Sequence, residues 1–326
     1  MTVAKRVAVT GAQGFIGQAL VRALCARHGS DSLLELLLID QVKPSAEELK
    51  DAQYFQGAFH DKAALQALKS FQPDVVYHLA SVPGALAEKE QALGRAVNLD
   101  GTQALIDALA GLFSQAKKPV RFVFASSVAV YGALDPESPC LEDQRPSPKL
   151  TYGTHKLIIE LYLADLSRRG LLDAVSLRLP GIVARPPTKT GHGSAFMSDI
   201  FHYILNQEPY QCPVSLEACC WWLSRLCCVE NLMHAADINT TDLPAHRTVQ
   251  MPAITARVQE VVDVICTDRK VASSKLGFHP DENREALFGR SPVLMTPEAE
   301  RLGFRHDGDM AGLVSKVFDD LVGTAY

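Results

Sequence analysis

Arg6-Val7-Ala8-Val9-Thr10-Gly11-Ala12-Gln13-Gly14-Phe15-Ile16-Gly17 is a short β-branched run that ends in a G-x-x-G-x-x-G loop. It opens directly into helical apolar spacing over Phe15 to Ala26. Glycines at a strand-to-helix junction allow a tight turn and close backbone approach. The helix N-terminus adds free N–H groups and a positive dipole end, a combination that suits a pyrophosphate. A turn that merely joins strand to helix would use the same residue type, but strand context on one side and helix context on the other favour a dinucleotide loop, although the spacing is not G-x-G-x-x-G. Asp40 ends the next strand, where an acid would meet the adenine ribose hydroxyls. Its carboxylate would repel a 2′-phosphate, and Gln41 and Val42 add no cation, so NAD is expected over NADP, with Lys43 the nearest positive charge.

Outward from this loop, short apolar runs alternate with helical patterns. Strands are predicted at Arg6 to Thr10, Leu36 to Asp40, Asp74 to Leu79, Val120 to Ala125 and Ala174 to Leu179, and helices at Phe15 to Ala26, Ala63 to Phe71, Ala92 to Leu112 and Tyr152 to Ser167. Right-handed crossovers then give an α/β fold, a Rossmann-type doubly wound parallel sheet. After Leu179 the pattern changes to Pro180-Gly181, Pro186-Pro187 and a small polar run from Lys189 to Ser194, which reads as a loop over a site. Helices are expected at Ala195 to Leu205 and Leu226 to Ala236, a strand near Arg247 to Met251, a helix from Ala256 to Thr267 capped by Thr255, and another after Thr296-Pro297. The expected division is residues 1–179 as a dinucleotide-binding domain carrying the catalytic groups, and residues 180–326 as a smaller irregular substrate lobe with segments returning to the first domain.

The 326 residues are 47% apolar and 21% charged, enough for a sizeable core and far from disordered or fibrous compositions. With 32 basic against 37 acidic residues the net charge of −5 offers no general attraction to nucleic acid or anionic membrane, so a small-molecule partner is expected. No secretory signal pattern opens the chain and no apolar stretch reaches the roughly 20 residues needed to span a bilayer, which points to the cytoplasm. The adjacent pairs Cys219-Cys220 and Cys227-Cys228 lack the spacing of zinc ligands; they read as reduced, buried small hydrophobes, and no metal is expected.

Tyr152-Gly153-Thr154-His155-Lys156 puts a phenol and an ammonium four residues apart, on one face of the predicted helix. A phenol with a pKa of about 10 is a poor base at neutral pH, but a neighbouring cation favours tyrosinate. Phe122 to Ser127 is an apolar strand ending in two serines, so the Ser127 hydroxyl reaches the carboxyl edge of the sheet, where open α/β folds bind ligands. Each piece is common alone: tyrosine and lysine share many helix faces, and serines often just terminate strands.

These segments, with His78-Leu79-Ala80, Asn98-Leu99-Asp100-Gly101-Thr102 and Ser126 to Gly132 in the same order, resemble the extended short-chain dehydrogenase/reductase family, also called the NAD-dependent epimerase/dehydratase family, over about residues 5–185. The resemblance implies a catalytic set of Ser127, Tyr152, Lys156 and Asn98, with Asn98 near the cofactor. It implies cofactor contacts from Gly11, Gly14, Phe15, Ile16, Gly17, Asp40, Phe59, Leu79, Ala80, Asn98, Tyr152, Lys156, Leu179 and Ile182. Leu177 to Pro186, Cys212 to Ser215 and Trp222 to Ser224 resemble the branch that oxidises a four-carbon sugar acid, D-erythronate, at C2. Such a substrate would meet Ser127 and Tyr152 and needs a cation for its carboxylate, for which Arg185, Lys189 and His192 are placed in the variable loop. Sugar epimerisation or dehydration, and non-catalytic cofactor binding by a regulator, are the competing functions. Two positions depart from the family: Ala58, where many relatives hold the adenine amino group with an acid, and Cys219-Cys220, where many carry an arginine before the aromatic strand. Trp221 and Trp222 read equally as pocket wall or core, and the resemblance further implies a homodimer through Ala92 to Leu112 and Tyr152 to Ser167.

Overall fold

The computed structural model describes residues 5–28, 34–44, 52–112, 118–187, 193–273 and 275–323. In chain order the strands are β1 (Lys5–Thr10), β2 (Leu34–Asp40), β3 (Ala52–Gln56), β4 (Val75–His78), β5 (Arg121–Ser127) and β6 (Asp173–Leu179). There follow β7 (Gly181–Val183), β8 (Tyr210–Cys212), β9 (Cys219–Ser224), β10 (Thr248–Gln250), β11 (Ile254–Arg257) and β12 (Leu276–Phe278). Seven of them form one sheet in the order β3-β2-β1-β4-β5-β6-β10, and all its pairings are parallel. The chain reverses its direction of sheet growth between β1 and β4, which opens a crevice at the carboxyl ends of the strands. Val7 to Thr10, Leu36 to Ile39 and Phe122 to Ser126 are buried without alternation, as expected when helices cover both faces.

One face is packed by the helices Phe15–His28 and Arg225–Asp237, so Leu20, Leu24, Cys228, Val229 and Leu232 share a core with Val9 and Val123. The opposite face holds Leu68, Leu105, Ile106, Ile159 and Leu163. Residues beyond 180 therefore complete the first face, and β10 extends the main sheet beside β6. A second core gathers Phe196, Phe201, Trp222, Val261 and Phe318 around the small sheet β7-β9-β11. Strands β8 and β12 form a separate pair. Among the described residues no helix is long and apolar enough to cross a membrane, and none of the eight cysteines, all described, is in a disulfide.

Two expectations are corrected. The helix expected over Ala92 to Leu112 is interrupted: Gln91–Arg95 leads into a π turn, Ala96–Gly101, before Thr102–Ala110. The wider turn coincides with Asn98, whose buried amide bonds the Val82 backbone rather than facing solvent. Thr255 does not cap a helix. It lies in β11 and its hydroxyl accepts the Leu294 N–H, while the helix starts at Val258 with Glu260 bonding back to the Arg257 N–H.

Candidate active site

Gly11 leaves β1 with φ +72°, and its backbone abuts Ala80 so closely that a Cβ would lie 2.7 Å from the Ala80 nitrogen. Gly17 is stricter still, since a Cβ there would lie 2.1 Å from the Gly11 carbonyl oxygen. These contacts seat the N-terminus of the helix Phe15–His28 at a cleft of about 920 Å³ lined by Gly11, Gly14, Phe15, Ile16 and Gly17. Leu79, Leu179 and Ile182 line the same cleft. Asp40 borders the glycine loop, its carboxylate accepting the Gln13 N–H at 2.9 Å and the Val42 N–H at 3.0 Å, with lone pairs left over. The close-packed glycine backbone, the open helix N-terminus and the fixed carboxylate fit the diphosphate and ribose of a dinucleotide. Phe59 stands apart, 5% exposed in the core and edge-on to His78.

Strand β5 delivers Ser127 at its carboxyl end, and the helix Thr151–Arg168 brings Tyr152 and, one turn later, Lys156 into the cleft. Gly153 makes this approach feasible, because a Cβ would meet the Ala129 carbonyl oxygen at 2.3 Å. Ser127 Oγ accepts the Ala129 N–H at 3.1 Å, which leaves its hydroxyl hydrogen to donate elsewhere. Lys156 is buried; its Nζ donates to the Ala125 carbonyl at 2.6 Å and lies 5.4 Å from the Tyr152 ring centre. Burial pushes its pKa down to about 7, against the opposing pull of the Glu160 carboxylate one turn on. Glu160 is held in turn by Arg178 at 2.7 Å and by the Ser126 hydroxyl at 2.5 Å. Burial raises the Tyr152 pKa, while the Ser81 hydroxyl, the Arg185 charge and the Ser127 hydroxyl lower it. Asn98 is not on the cleft wall. Its amide accepts the Val82 N–H at 2.7 Å and donates to the Val82 carbonyl at 2.9 Å, fixing the loop that carries Ser81.

Arg185 lines the cleft with its guanidinium 5.7 Å from the Phe15 ring centre, and among the described residues it makes no ion pair. Burial lowers its pKa, opposed by Tyr152. Lys189 and His192 lie outside the described residues. Trp221 is a cleft wall whose indole N–H donates to the Pro292 carbonyl at 2.6 Å, whereas Trp222 is fully buried core.

Sequence reasoning missed Ser81 and Arg290. A parallel bridge joins Cys219 to Arg290: the Cys219 N–H donates to the Gly289 carbonyl at 2.8 Å and the Ser291 N–H to the Cys219 carbonyl at 3.0 Å. The position expected to carry an arginine is a cysteine, and a distant segment lays Arg290 beside it on the cleft wall, with no ion pair among the described residues. Gly289 and Pro292 marked a loop there, but no local signal gave its address.

The model of the NAD dependent epimerase/dehydratase family matches residues 7–217. The chain is 31% identical to D-erythronate dehydrogenase of Cupriavidus necator, covering 96% of this chain and 98% of that one. It is 29% identical to the Haemophilus influenzae D-erythronate dehydrogenase, over 96% and 99%. Among solved structures it is similar to a nucleoside-diphosphate-sugar epimerase from Agrobacterium tumefaciens, with a TM-score of 0.90 at 28% identity over 99% of this chain and 96% of that one. With this fold and this cleft, the chain belongs to the NAD-dependent epimerase/dehydratase family and is a dehydrogenase that works with a nicotinamide dinucleotide.

Proposed function

We propose that the protein oxidises D-erythronate at C2 to 2-dehydro-D-erythronate, with NAD as the hydride acceptor. The observation that carries this reading is the Arg185 guanidinium, which makes no ion pair among the described residues and lines the same cleft as Ser127, Tyr152 and Lys156, with Arg290 also on its lining: a counter-charge for an acid beside a proton acceptor. The similarity to two D-erythronate dehydrogenases supports the choice of acid. Asp40, beside the glycine loop, supports NAD over NADP because its charge disfavours a 2′-phosphate.

On this reading the glycine loop, Asp40, Leu79, Leu179 and Ile182 hold the dinucleotide, which supplies the hydride acceptor. Ser127 donates to the substrate oxygen and Tyr152 takes the C2 hydroxyl proton. Lys156, when protonated, stabilises the tyrosinate. Arg185 and Arg290 hold the carboxylate, and Asn98 contributes by fixing the Ser81 loop. Residues 1–179 then supply cofactor and proton chemistry and residues 180–326 mainly the substrate wall. Leu161, 64% exposed, with Ile158 on the same helix and Leu93 on a neighbouring one, supports a homodimer through that face, and the absence of disulfides among eight cysteines supports a cytoplasmic location.

The same residues would serve an epimerase, a reading favoured by the similarity to the Agrobacterium tumefaciens protein. The test is NADH formation with NAD or NADP and a panel of erythronate, threonate, threonine, uronic acids and UDP-sugars. Selective NAD reduction with erythronate is expected. Conversion of a UDP-sugar without net NADH would establish the epimerase, and silence across the panel with tightly held NAD would favour a regulator.

A further inference from the structure

The helix that carries Tyr152 and Lys156 has no cap of its own. Leu150 occupies the N-cap position and offers no side-chain acceptor. Acceptors come instead from Glu88, 63 residues upstream: one carboxylate oxygen takes the Thr151 N–H and the other the Thr151 hydroxyl, the latter at 3.2 Å. A helix start leaves its first N–H groups without partners, and a carboxylate there both satisfies one and meets the positive end of the dipole. Tyr152 is the second residue of this helix, so fraying of the first turn displaces the phenol directly.

Glu88 is itself well anchored. It lies near the end of the helix Gly84–Lys89, whose first residue, Gly84, faces Tyr152 at ordinary packing distance, a Cβ there standing 3.7 Å from the tyrosine Cβ. The preceding Val82 is gripped at both backbone polar atoms by buried Asn98. One short helix thus packs against the tyrosine at its start and ties down the tyrosine's helix near its end, with Glu88 half-buried on the cleft wall.

We propose that Glu88 is a positioning residue for Tyr152, holding the first turn of the helix in the register in which the phenol meets Ser127 and Ser81. This rests on the reading of Tyr152 as proton acceptor. The test compares Glu88→Ala, Leu150→Ser and the double variant in the full chain, using the dinucleotide and the alcohol that the substrate panel identifies. Because small misplacements of reacting groups are costly, Glu88→Ala is expected to lower kcat about tenfold, with KM for the dinucleotide within about twofold. Hydrogen exchange of the amides of residues 151–154 should quicken in parallel. A serine at 150 supplies a local cap, so the double variant is expected to recover amide protection and kcat to within about threefold of the parent. Should Glu88→Ala not fold, Glu88→Gln keeps one acceptor oxygen and is expected to lose about threefold in kcat, again reversed by Leu150→Ser.

An unchanged kcat in Glu88→Ala beside an inactive Tyr152→Phe overturns this proposal alone. Recovery of amide protection without recovery of kcat also overturns it, because Glu88 would then act on the substrate itself. A Tyr152→Phe variant that keeps its turnover overturns the proton-acceptor reading, and with it any need to position the phenol.

Discussion

The two walls of the cleft are built by different means. On the proposed cofactor wall Gly11, Asp40, Leu79 and Ser127 each sit at or just past a strand end: Gly11 after β1, Asp40 at the end of β2, Leu79 after β4 and Ser127 at the end of β5. On the proposed substrate wall Arg185, Trp221 and Arg290 come to line one cleft because β7 pairs with β9 and a single bridge joins Cys219 to Arg290. The first wall is specified by local pattern and by contacts that only glycine allows. The second depends on pairings of very short strands far apart in the chain, which leave room for substrate recognition to change without disturbing the sheet.

Substitutions that separate the walls test this contrast. Tyr152→Phe is expected to lower kcat by about 10²–10⁴-fold, the usual range for general acid–base groups, while NAD affinity measured by fluorescence titration stays near that of the parent. Gly17→Val should place side-chain atoms against the Gly11 carbonyl, weakening NAD binding about a hundredfold and lowering stability by about 1–3 kcal/mol in thermal unfolding. Loss of turnover with normal NAD affinity in Gly17→Val would contradict the role of the loop. Arg185→Ala and Arg290→Ala should each raise KM for the acid about tenfold or more, as expected for a charge-assisted hydrogen bond worth about 1.5–3 kcal/mol. A neutral polyol of the same length should be indifferent to both changes, and equal losses for acid and polyol would mean that neither arginine reads the carboxylate.

A pH test concerns Lys156. Its folded pKa of about 7 lies below the ordinary 10.5, so between these values the unfolded chain holds a proton that the folded chain has released. Unfolding then takes up protons, and this group makes stability rise with pH across that window. The rise should be flatter in Lys156→Met, measured by denaturant unfolding at several pH values.

Legibility followed the same division. The predicted strands of the main sheet were recognisable because Val7 to Val9, Leu36 to Ile39 and Phe122 to Ala125 are buried on both faces and read as unbroken apolar runs. Strand β3, Ala-Gln-Tyr-Phe-Gln, escaped notice because an edge position buries it only partly and leaves glutamines in the pattern. A strand near Arg247 to Met251 was expected, but three residues carry no sign of which sheet they join. The break in the helix after Arg95 was hidden because a π turn keeps helical composition. The glycine loop, Ser127, Tyr152, Lys156 and Arg185 line one cleft, whereas Asn98 and Phe59 are buried and are not among its lining residues. Arg290 is an exposed cation in a loop, and its meaning comes wholly from the backbone of Cys219.

The placement of β10 has a consequence for synthesis. As the chain leaves the ribosome from its N-terminus, β1 to β6 can pair as soon as β6 emerges, yet β6 then presents an open row of backbone donors and acceptors until Thr248–Gln250 arrives to cover it. The nascent protein passes through an interval in which its sheet is nearly whole but one long edge is adhesive. A chain ended between Leu179 and Thr248 would stay in that condition, and is expected to precipitate or to recruit a chaperone rather than persist as a small, free dinucleotide-binding unit.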